Sequence, residues 1–266
     1  MERITTLSTH TIEPSPNTAA QPLTGLRALV TGGSRGIGTA IVRRLAGDGA
    51  DVAFTYNTSP ERAHELVTEV SELGSKVIAL QADLADAEAT QRVVDDAAHR
   101  LGGLDILVNN AGVAHIAPVE SFSLDQFDHL VSVNVRGVFT AVQAAVPHMD
   151  GAGRIITIGS VSADRVHVPG LSVYTMTKAA VAGLTKGLAR ELGPRGITVN
   201  NLAVGPTATE MNPDDDSELA SINRAMTAVG RYGQPHDIAS AVAYLALPEA
   251  GFVTGATWYV DGGFNV

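Results

Sequence analysis

The chain has 266 residues, of which 45% are hydrophobic and 17% are charged, and its formal net charge is −10. This composition supports a large buried core, and the acidic balance argues against a general nucleic-acid-binding surface. The sequence holds no cysteine, which excludes disulfides and thiolate chemistry and suits a cytoplasmic protein. Every apolar run is shorter than the roughly 20 residues that cross a bilayer, so no membrane partner is expected.

The beginning of the chain differs in composition from the rest. Residues 1–22 are rich in Thr, Ser and Pro, and they lack the apolar segment of a secretory signal. Arg3 is their only basic side chain, which makes them a poor mitochondrial presequence. We interpret residues 1–22 as a mobile tail, with an arm that packs on a neighbouring subunit as the alternative. The domain is then expected to occupy residues 23–266.

From Arg27 onward, short runs rich in β-branched residues alternate with amphipathic stretches of helical length. Seven runs are interpreted as strands, namely 27–31, 51–56, 76–80, 104–108, 154–159, 196–202 and 257–260. Helical patterns begin near residues 36, 60, 86, 124, 173 and 235. Alternation at this spacing predicts right-handed crossovers and a sheet covered by helices on both faces. The prediction is therefore a single doubly wound α/β domain with seven parallel strands.

The segment 209–232 interrupts this alternation. It follows the sixth predicted strand and carries the acidic triplet 214–216 ahead of a short helical pattern over 218–229. Since ligands bind beyond the carboxyl edge of such sheets, we predict a lid over a substrate; a plain surface excursion is the alternative. We interpret the triplet as a helix N-cap and solvated face. None of the eight histidines has a metal-ligand spacing, so no metal site is predicted.

A glycine-rich run from Thr31 to Gly38 directly follows the first predicted strand and opens a helix. Glycines here allow a tight turn and a close approach of the backbone to a ligand. The helix amino terminus offers free N–H groups and partial positive charge, which suit the pyrophosphate of a dinucleotide. The spacing is Gly-x-x-x-Gly-x-Gly, and an ordinary glycine-rich turn is the alternative.

A second motif consists of Ser160, Tyr174 and Lys178. The tyrosine and lysine are one helical turn apart and lie on the same face. An unperturbed tyrosine ionises near pH ~10, and a nearby ammonium favours the phenolate, so a lowered pKa would make Tyr174 a usable acid and base. Ser160 would hydrogen-bond a substrate oxygen where negative charge develops. Ser162 is the rival for that role, because both serines follow the fifth predicted strand.

With these motifs, residues 26–263 resemble the short-chain dehydrogenase/reductase family, which implies a Rossmann-type domain. Further matches are the run Asn109-Asn110-Ala111-Gly112 and Asn134. The resemblance implies that Asn134, Ser160, Tyr174 and Lys178 are catalytic, and that Asn134 holds a water linking Lys178 to solvent. One departure is Val204, where the family usually has proline.

The resemblance also implies a nicotinamide cofactor. The residues expected to bind it are Gly32, Ser34, Arg35, Gly36, Ile37, Gly38, Tyr56, Asn57, Thr58, Asp83, Leu84, Asn110, Ala111, Gly112, Tyr174, Lys178, Gly205, Thr207 and Thr209. The second predicted strand ends in Tyr56-Asn57-Thr58, without a carboxylate that would repel a 2′-phosphate. Arg35 can pair with that phosphate, so NADPH is favoured. A solvent-facing turn residue is the alternative for Arg35.

Two functions of different classes follow. The first is an NADPH-dependent oxidoreductase that reduces a ketone or other carbonyl compound, with 3-oxoacyl thioesters as one substrate option. The second is a regulatory protein that binds cyclic di-GMP, because segments 159–165 and 251–256 also resemble a biofilm-dispersal-type member of the family. By resemblance, the helices beginning near 124 and 173 build a homotetramer. His167 either touches the substrate or faces solvent.

Overall fold

The computed structural model describes residues 21–266, in which a single sheet is flanked by helices. The strands are β1 Arg27–Val30, β2 Asp51–Tyr56, β3 Val77–Gln81, β4 Ile106–Asn109, β5 Arg154–Ile158, β6 Thr198–Val204 and β7 Thr257–Val260. The α-helices are α1 Gly36–Gly47, α2 Pro60–Ser71, α3 Ala87–Leu101, α4 Leu124–Val131, α5 Val138–Ala145, α6 Ser172–Leu192, α7 Glu218–Met226 and α8 Pro235–Ala246. Residues 1–20, which make up nearly all of the predicted tail, lie outside the described residues.

All seven strands pair in parallel, in the order β3-β2-β1-β4-β5-β6-β7. This confirms the predicted doubly wound sheet. The order reverses between β1 and β4, and ligands bind outside the carboxyl ends of the strands at such a switch point. β6 begins later than predicted because Gly196 has φ +73 and ends the preceding turn in a left-handed conformation.

The core forms two layers, one on each face of the sheet. Helices α1, α2 and α8 supply one layer, in which Ile41, Leu66 and Val242 pack on β1 and β2 side chains such as Val30 and Phe54. Helices α3, α5 and α6 close the opposite face. Strands β4 and β5 are buried along their whole length, and their side chains are apolar except for Asn109, Arg154 and Thr157.

Helices α4 and α5 are joined by a π-helical turn, Ser132–Gly137, and a 3₁₀ turn extends α5 to His148. The combined segment Leu124–His148 has the length and apolar composition of a membrane-crossing helix, but half of its apolar window is buried inside the domain. A core helix of a soluble protein has the same properties. The π turn carries Asn134, and such turns are frequent at functional sites.

Candidate active site

A cleft of about 730 Å³ opens at the carboxyl edge of the sheet, above the switch point. Its wall combines the glycine run, the ends of β2, β4, β5 and β6, one face of α6 and the segment after β6. Every residue predicted to bind the cofactor lines this cleft, and so does Ser160. The two motifs that the sequence keeps more than 120 residues apart therefore meet in one site.

The glycine run is held rigidly against the loop after β4. Asn110 donates from Nδ2 to the carbonyls of Thr31 and Gly32, at 2.9 and 3.0 Å. The Thr31 hydroxyl accepts from the backbone N–H of both Asn110 and Ala111 at 3.0 Å. A Cβ at Gly38 would lie 2.6 Å from Asn110 Nδ2, so only glycine fits there. The amide nitrogen of Asn110 thus shapes the loop.

Helix α1 begins inside this loop. Its N-cap residue is Arg35, whose side chain has no acceptor, so the first N–H groups of the helix stay available to an anion. Gly36 has φ +56, which a side chain would strain. A narrow, glycine-lined approach to a helix amino terminus fits a pyrophosphate, and the cleft has room for a dinucleotide.

Asn134 lies behind the cleft rather than in its wall. Its Nδ2 donates to the Val113 carbonyl at 2.9 Å and to the Thr177 hydroxyl at 3.1 Å, and its Oδ1 accepts from the Val113 N–H at 2.9 Å. A Cβ at Gly112 would be 3.4 Å from Asn134 Oδ1 and 3.6 Å from Lys178 Nζ. Both atoms therefore border the same small space, which is the place expected for a bridging water.

Tyr174 and Lys178 lie on the cleft face of α6, as their spacing predicts. Lys178 is buried, its Nζ donates to the Ile158 carbonyl at 2.8 Å, and it lies 5.8 Å from the Tyr174 ring centroid. Burial lowers the pKa of Lys178 to about 8. Burial also raises the pKa of Tyr174, and the Ser160 hydroxyl lowers it in part. The net direction is therefore opposite to the expected lowering, because desolvation of the phenolate outweighs the hydrogen bond with Ser160.

Ser160, and not Ser162, is the serine next to the Tyr174 phenol. Its Oγ accepts from the Ser162 N–H at 3.1 Å, and Ser162 is also buried in the cleft wall. His167 lines the cleft too, with its ring 4.8 Å from that of the buried Phe264 in an edge-to-face arrangement. Desolvation by burial lowers the pKa of His167. His167 is thus half-buried in the cleft wall, and its contact with a substrate stays a prediction.

The departure at Val204 is accommodated within the sheet. Val204 pairs with Val260 at the end of β6, and the Gly205 N–H donates to the Val260 carbonyl at 3.1 Å. Gly205 follows, and a Cβ there would be 2.7 Å from Asp261. Thr207 donates to the Gly205 carbonyl at 3.0 Å. The turn after the strand is thus formed without proline.

The segment after β6 covers part of the cleft, as predicted for a lid. Met211, Asn212, Leu219 and Asn223 line the cleft from this side, and the sequence alone did not single them out. Asn223 is buried and donates to the Tyr232 hydroxyl at 2.8 Å. Among residues 21–266 its Oδ1 finds no partner. The four lining residues reach the cleft because the segment after β6 folds back over the sheet edge, and no local sequence pattern predicts this.

The acidic triplet does not cap α7 itself. Ser217 is the N-cap residue and its hydroxyl accepts from the Ala220 N–H at 3.2 Å. Asp215 accepts from the Ser217 N–H at 3.0 Å, and Asp214 forms an ion pair with Arg224. The aspartates thus support the cap from outside the helix. In the part of the chain that the structure describes, no cluster of three acidic or histidine side chains is placed to hold a metal ion.

Arg35 has an unexpected neighbour. Glu210, from the lid, forms an ion pair with Arg62 of α2, and its other oxygen lies 3.8 Å from Arg35 Nη1. All three side chains are at least half exposed. The strand end itself has no carboxylate, as predicted, but Glu210 brings one from 154 residues further along the chain than Tyr56. Glu210 is far from Arg35 and Arg62 in the sequence, so the sequence alone does not predict this contact.

Comparison with known proteins decides the family. The family described as enoyl-(acyl carrier protein) reductase matches residues 32–265. A short-chain dehydrogenase/reductase from Serratia marcescens is 54% identical, with a TM-score of 0.90 over 92% of this chain and 100% of that one. The chain belongs to the short-chain dehydrogenase/reductase family. The family consists of oxidoreductases, and the observed fold is the fold of its solved members.

Two further relatives bear on function. A short-chain dehydrogenase from Burkholderia cenocepacia, solved in complex with NADP, is 49% identical, with a TM-score of 0.90 over 92% of this chain and 100% of that one. The cyclic-di-GMP-binding biofilm dispersal mediator protein of Escherichia coli is 42% identical over 242 residues, which are 91% of this chain and 98% of that protein. These relatives correspond to the two function classes that the sequence suggests.

Proposed function

We propose that this protein reduces a ketone or other carbonyl compound to a secondary alcohol with NADPH. The observation that carries the proposal is the meeting of Ser160, Tyr174 and Lys178 in the cleft that the glycine run opens. A hydroxyl, a phenol and an ammonium beside a dinucleotide site are the groups that reversible hydride transfer to a carbonyl requires.

We assign each side chain a role on the basis of its position. The bound cofactor supplies the hydride. Ser160 hydrogen-bonds the carbonyl oxygen of the substrate, and Tyr174 donates its proton to that oxygen as negative charge develops. The pKa of Lys178, about 8, lies near neutral pH, and its Nζ borders the space beside Asn134, so we assign to it the relay of protons toward the phenol. In this way the proton lost by Tyr174 is replaced from solvent.

NADPH as cofactor is supported by the NADP complex of the Burkholderia relative and by the residues of this cleft. Arg35 stands at the mouth of the glycine run, and the β2 end offers Tyr56, Asn57 and Thr58 without a carboxylate. A 2′-phosphate carries nearly two negative charges at pH 7 and pairs well with a guanidinium. We therefore propose a preference for NADPH over NADH.

The substrate end of the cleft is mostly apolar. Side chains from three segments line it, namely Ile116, Val168, Leu171, Met211 and Leu219. The Asn223 amide oxygen on the lid side is an acceptor without a partner among the described residues. A small or medium carbonyl compound with an apolar body suits this wall, and a 3-oxoacyl thioester is one such compound.

The proposal is tested by loss of NADPH absorbance with a panel of carbonyl substrates, run in parallel with NADH. Aliphatic ketones, aromatic ketones and 3-oxoacyl thioesters cover the candidate classes. Consumption of NADPH that depends on one of these compounds and on Tyr174 is the expected result. Binding of NADPH without turnover of any compound would instead favour a regulatory role.

That regulatory role is the second candidate, and the similarity to the Escherichia coli dispersal mediator favours it. Cyclic di-GMP is a dianion, so it would seek guanidinium groups such as Arg35 at the cleft mouth. Calorimetric titration with cyclic di-GMP, with and without saturating NADPH, separates the cases. Binding that NADPH abolishes would place the second nucleotide in the same cleft.

We also propose a cytoplasmic homotetramer. The face around α4 and α5 exposes large apolar side chains, with Val119 76%, Leu124 78% and Phe139 46% exposed, which suits an interface between copies of the chain. Light scattering at micromolar concentration should give the mass of four chains of 27.6 kDa. A monomer under these conditions would contradict the assembly.

A further inference from the structure

The ion-pair cluster at the cleft mouth involves three parts of the fold. Arg35 belongs to the glycine run, Arg62 to the first turn of α2, and Glu210 to the start of the lid. Ser34, next to Arg35, lines both the main cleft and an adjoining depression that Arg62 also lines. The two guanidinium groups therefore converge on one carboxylate beside the adenosine end of the cofactor cleft.

Two other acids line the depression beside Arg62. Glu69 lines the same depression but is paired with Arg43 at 2.6 Å, so its charge is already compensated. Glu65 lines the depression as well. Glu210 is the lid's carboxylate at this place and is shared between the two arginines.

A carboxylate between two guanidinium groups occupies the position that an anionic ligand would take. A 2′-phosphate carries about −1.5 to −2 charges at pH 7, against −1 for a carboxylate, and it offers three acceptor oxygens. We therefore expect the phosphate to replace Glu210 as the partner of the two guanidinium groups. Its negative charge would also repel the Glu210 carboxylate, which must then move. A 2′-hydroxyl has no charge and leaves the cluster intact.

We propose that Arg62 and Arg35 together bind the 2′-phosphate of NADPH, and that Glu210 occupies this site until the phosphate displaces it. Arg62 is thereby a second specificity-determining residue for the cofactor, and Glu210 ties the start of the lid to the adenosine end of the cleft. The proposal rests on NADPH as the cofactor and not on the identity of the carbonyl substrate.

The test uses adenosine 2′,5′-bisphosphate and adenosine 5′-monophosphate as probes, because they differ in the 2′-phosphate and lack the nicotinamide. Binding to the full-length protein is measured by calorimetry at low and high salt. The variants are Glu210→Gln, Arg62→Gln and the double variant. Glu88→Gln is the matched control, since Glu88 is an exposed acid paired with Arg92 at 3.3 Å on α3.

Glu210→Gln should tighten the bisphosphate roughly two- to fivefold relative to Glu88→Gln, as expected for an exposed ion pair, and salt should reduce the gain. The monophosphate should bind equally to both. Arg62→Gln should weaken the bisphosphate by about tenfold, and by more in the Glu210→Gln background, where no carboxylate offsets the arginine in the free protein.

Equal or weaker binding by Glu210→Gln, relative to the control, would overturn the displacement of Glu210. If Arg62→Gln does not weaken binding of the bisphosphate, Arg62 does not bind the 2′-phosphate. If it weakens binding equally in the parent and in Glu210→Gln, Glu210 and the phosphate do not compete for Arg62. Failure of the NADPH assignment looks different, because the parent protein would then bind the bisphosphate no better than the monophosphate.

Discussion

The glycine run and the lid border the same cleft, yet they are built by different forces. Backbone hydrogen bonds and the Asn110 amide hold the glycine run, and a side chain at Gly38 would collide with that amide. The lid is held at its start by exposed ion pairs of Glu210 and at its helix by the Ser217 cap. Short-range steric contacts define the first region, and long-range charge pairs of modest energy define the second.

This difference has a functional meaning. A site that must place a dinucleotide within a few tenths of an ångström gains from rigid backbone packing. A segment that must admit a substrate and release a product gains from weak attachments. Changes in the rigid part should therefore alter chemistry and cofactor binding strongly, while changes in the lid should have small effects on both.

The largest effect is expected at the chemical end of the cleft, on helix α6. Tyr174→Phe should lower kcat by ~10²–10⁴-fold, because the phenol is the proton donor, and should leave NADPH binding nearly unchanged. Tyr259→Phe removes an exposed phenol that donates to Asp164 at 2.9 Å and is the matched control. Turnover of the Tyr174 variant within a few-fold of the parent would show that the proton comes from another group.

Arg35→Ala should reduce kcat/KM for NADPH roughly ten- to a hundredfold and scarcely change the value for NADH, since one charge-assisted partner of the 2′-phosphate is lost. Tyr56→Asp should shift the preference further toward NADH by repulsion. Steady-state kinetics with both cofactors measures the two ratios. If Arg35→Ala harms NADPH and NADH equally, the arginine supports the loop and not the phosphate.

The buried ammonium of Lys178 gives a pH-dependent effect. Burial lowers its pKa from 10.5 to about 8, so between these values the unfolded chain binds more protons than the folded one. The free energy of unfolding therefore rises with pH in this window, by up to ~1.4 kcal/mol per pH unit, and the contribution is absent in Lys178→Met.

Urea denaturation of the parent and of Lys178→Met, from pH 7 to pH 10, measures this difference. The parent should gain stability relative to the variant above pH about 8. Lys186→Met, which removes an exposed ammonium from the same helix, is the control. Parallel stability curves for the parent and Lys178→Met would contradict the low pKa of the buried lysine.

The smallest effect is expected in the lid. Ser217→Ala removes the N-cap of α7 and should destabilise that helix by ~1 kcal/mol. Because the lid is locally attached, substrate KM should rise a few-fold while NADPH affinity stays constant. Asp86→Ala removes the matched cap of α3, where Asp86 accepts from the Glu88 N–H at 2.9 Å, and should lower global stability without changing KM. A reversed pattern would mean that the lid folds together with the core.

The contrast between the glycine run and the lid also explains which features of the structure can be predicted from the sequence. Strand–helix alternation and the glycine run are local signals, so β2 and β7 begin and end where predicted and the cofactor residues line one cleft. Contacts between distant segments have no such signal. Glu210 beside Arg35 and Arg62, and Asn223 in the cleft wall, depend on how the lid folds back onto the sheet edge.

The direction of the Tyr174 pKa shift could not be predicted from the local sequence either. The spacing of Tyr174 and Lys178 correctly places both on one face of α6, but the direction of the tyrosine pKa shift depends on burial in the folded chain. Desolvation raises the pKa of the phenol in the protein alone. A lowered value then requires a further positive charge in the cleft, which an oxidised nicotinamide would provide.

The most direct test of the account is the fate of the hydride. NADPH deuterated at both C4 positions is incubated with the carbonyl compound that the panel identifies, and the alcohol product is analysed by mass spectrometry. The account predicts one deuterium at the carbinol carbon, and no such product with Tyr174→Phe over the same time. An alcohol without deuterium, or none at all from any compound of the panel despite tight NADPH binding, would contradict it.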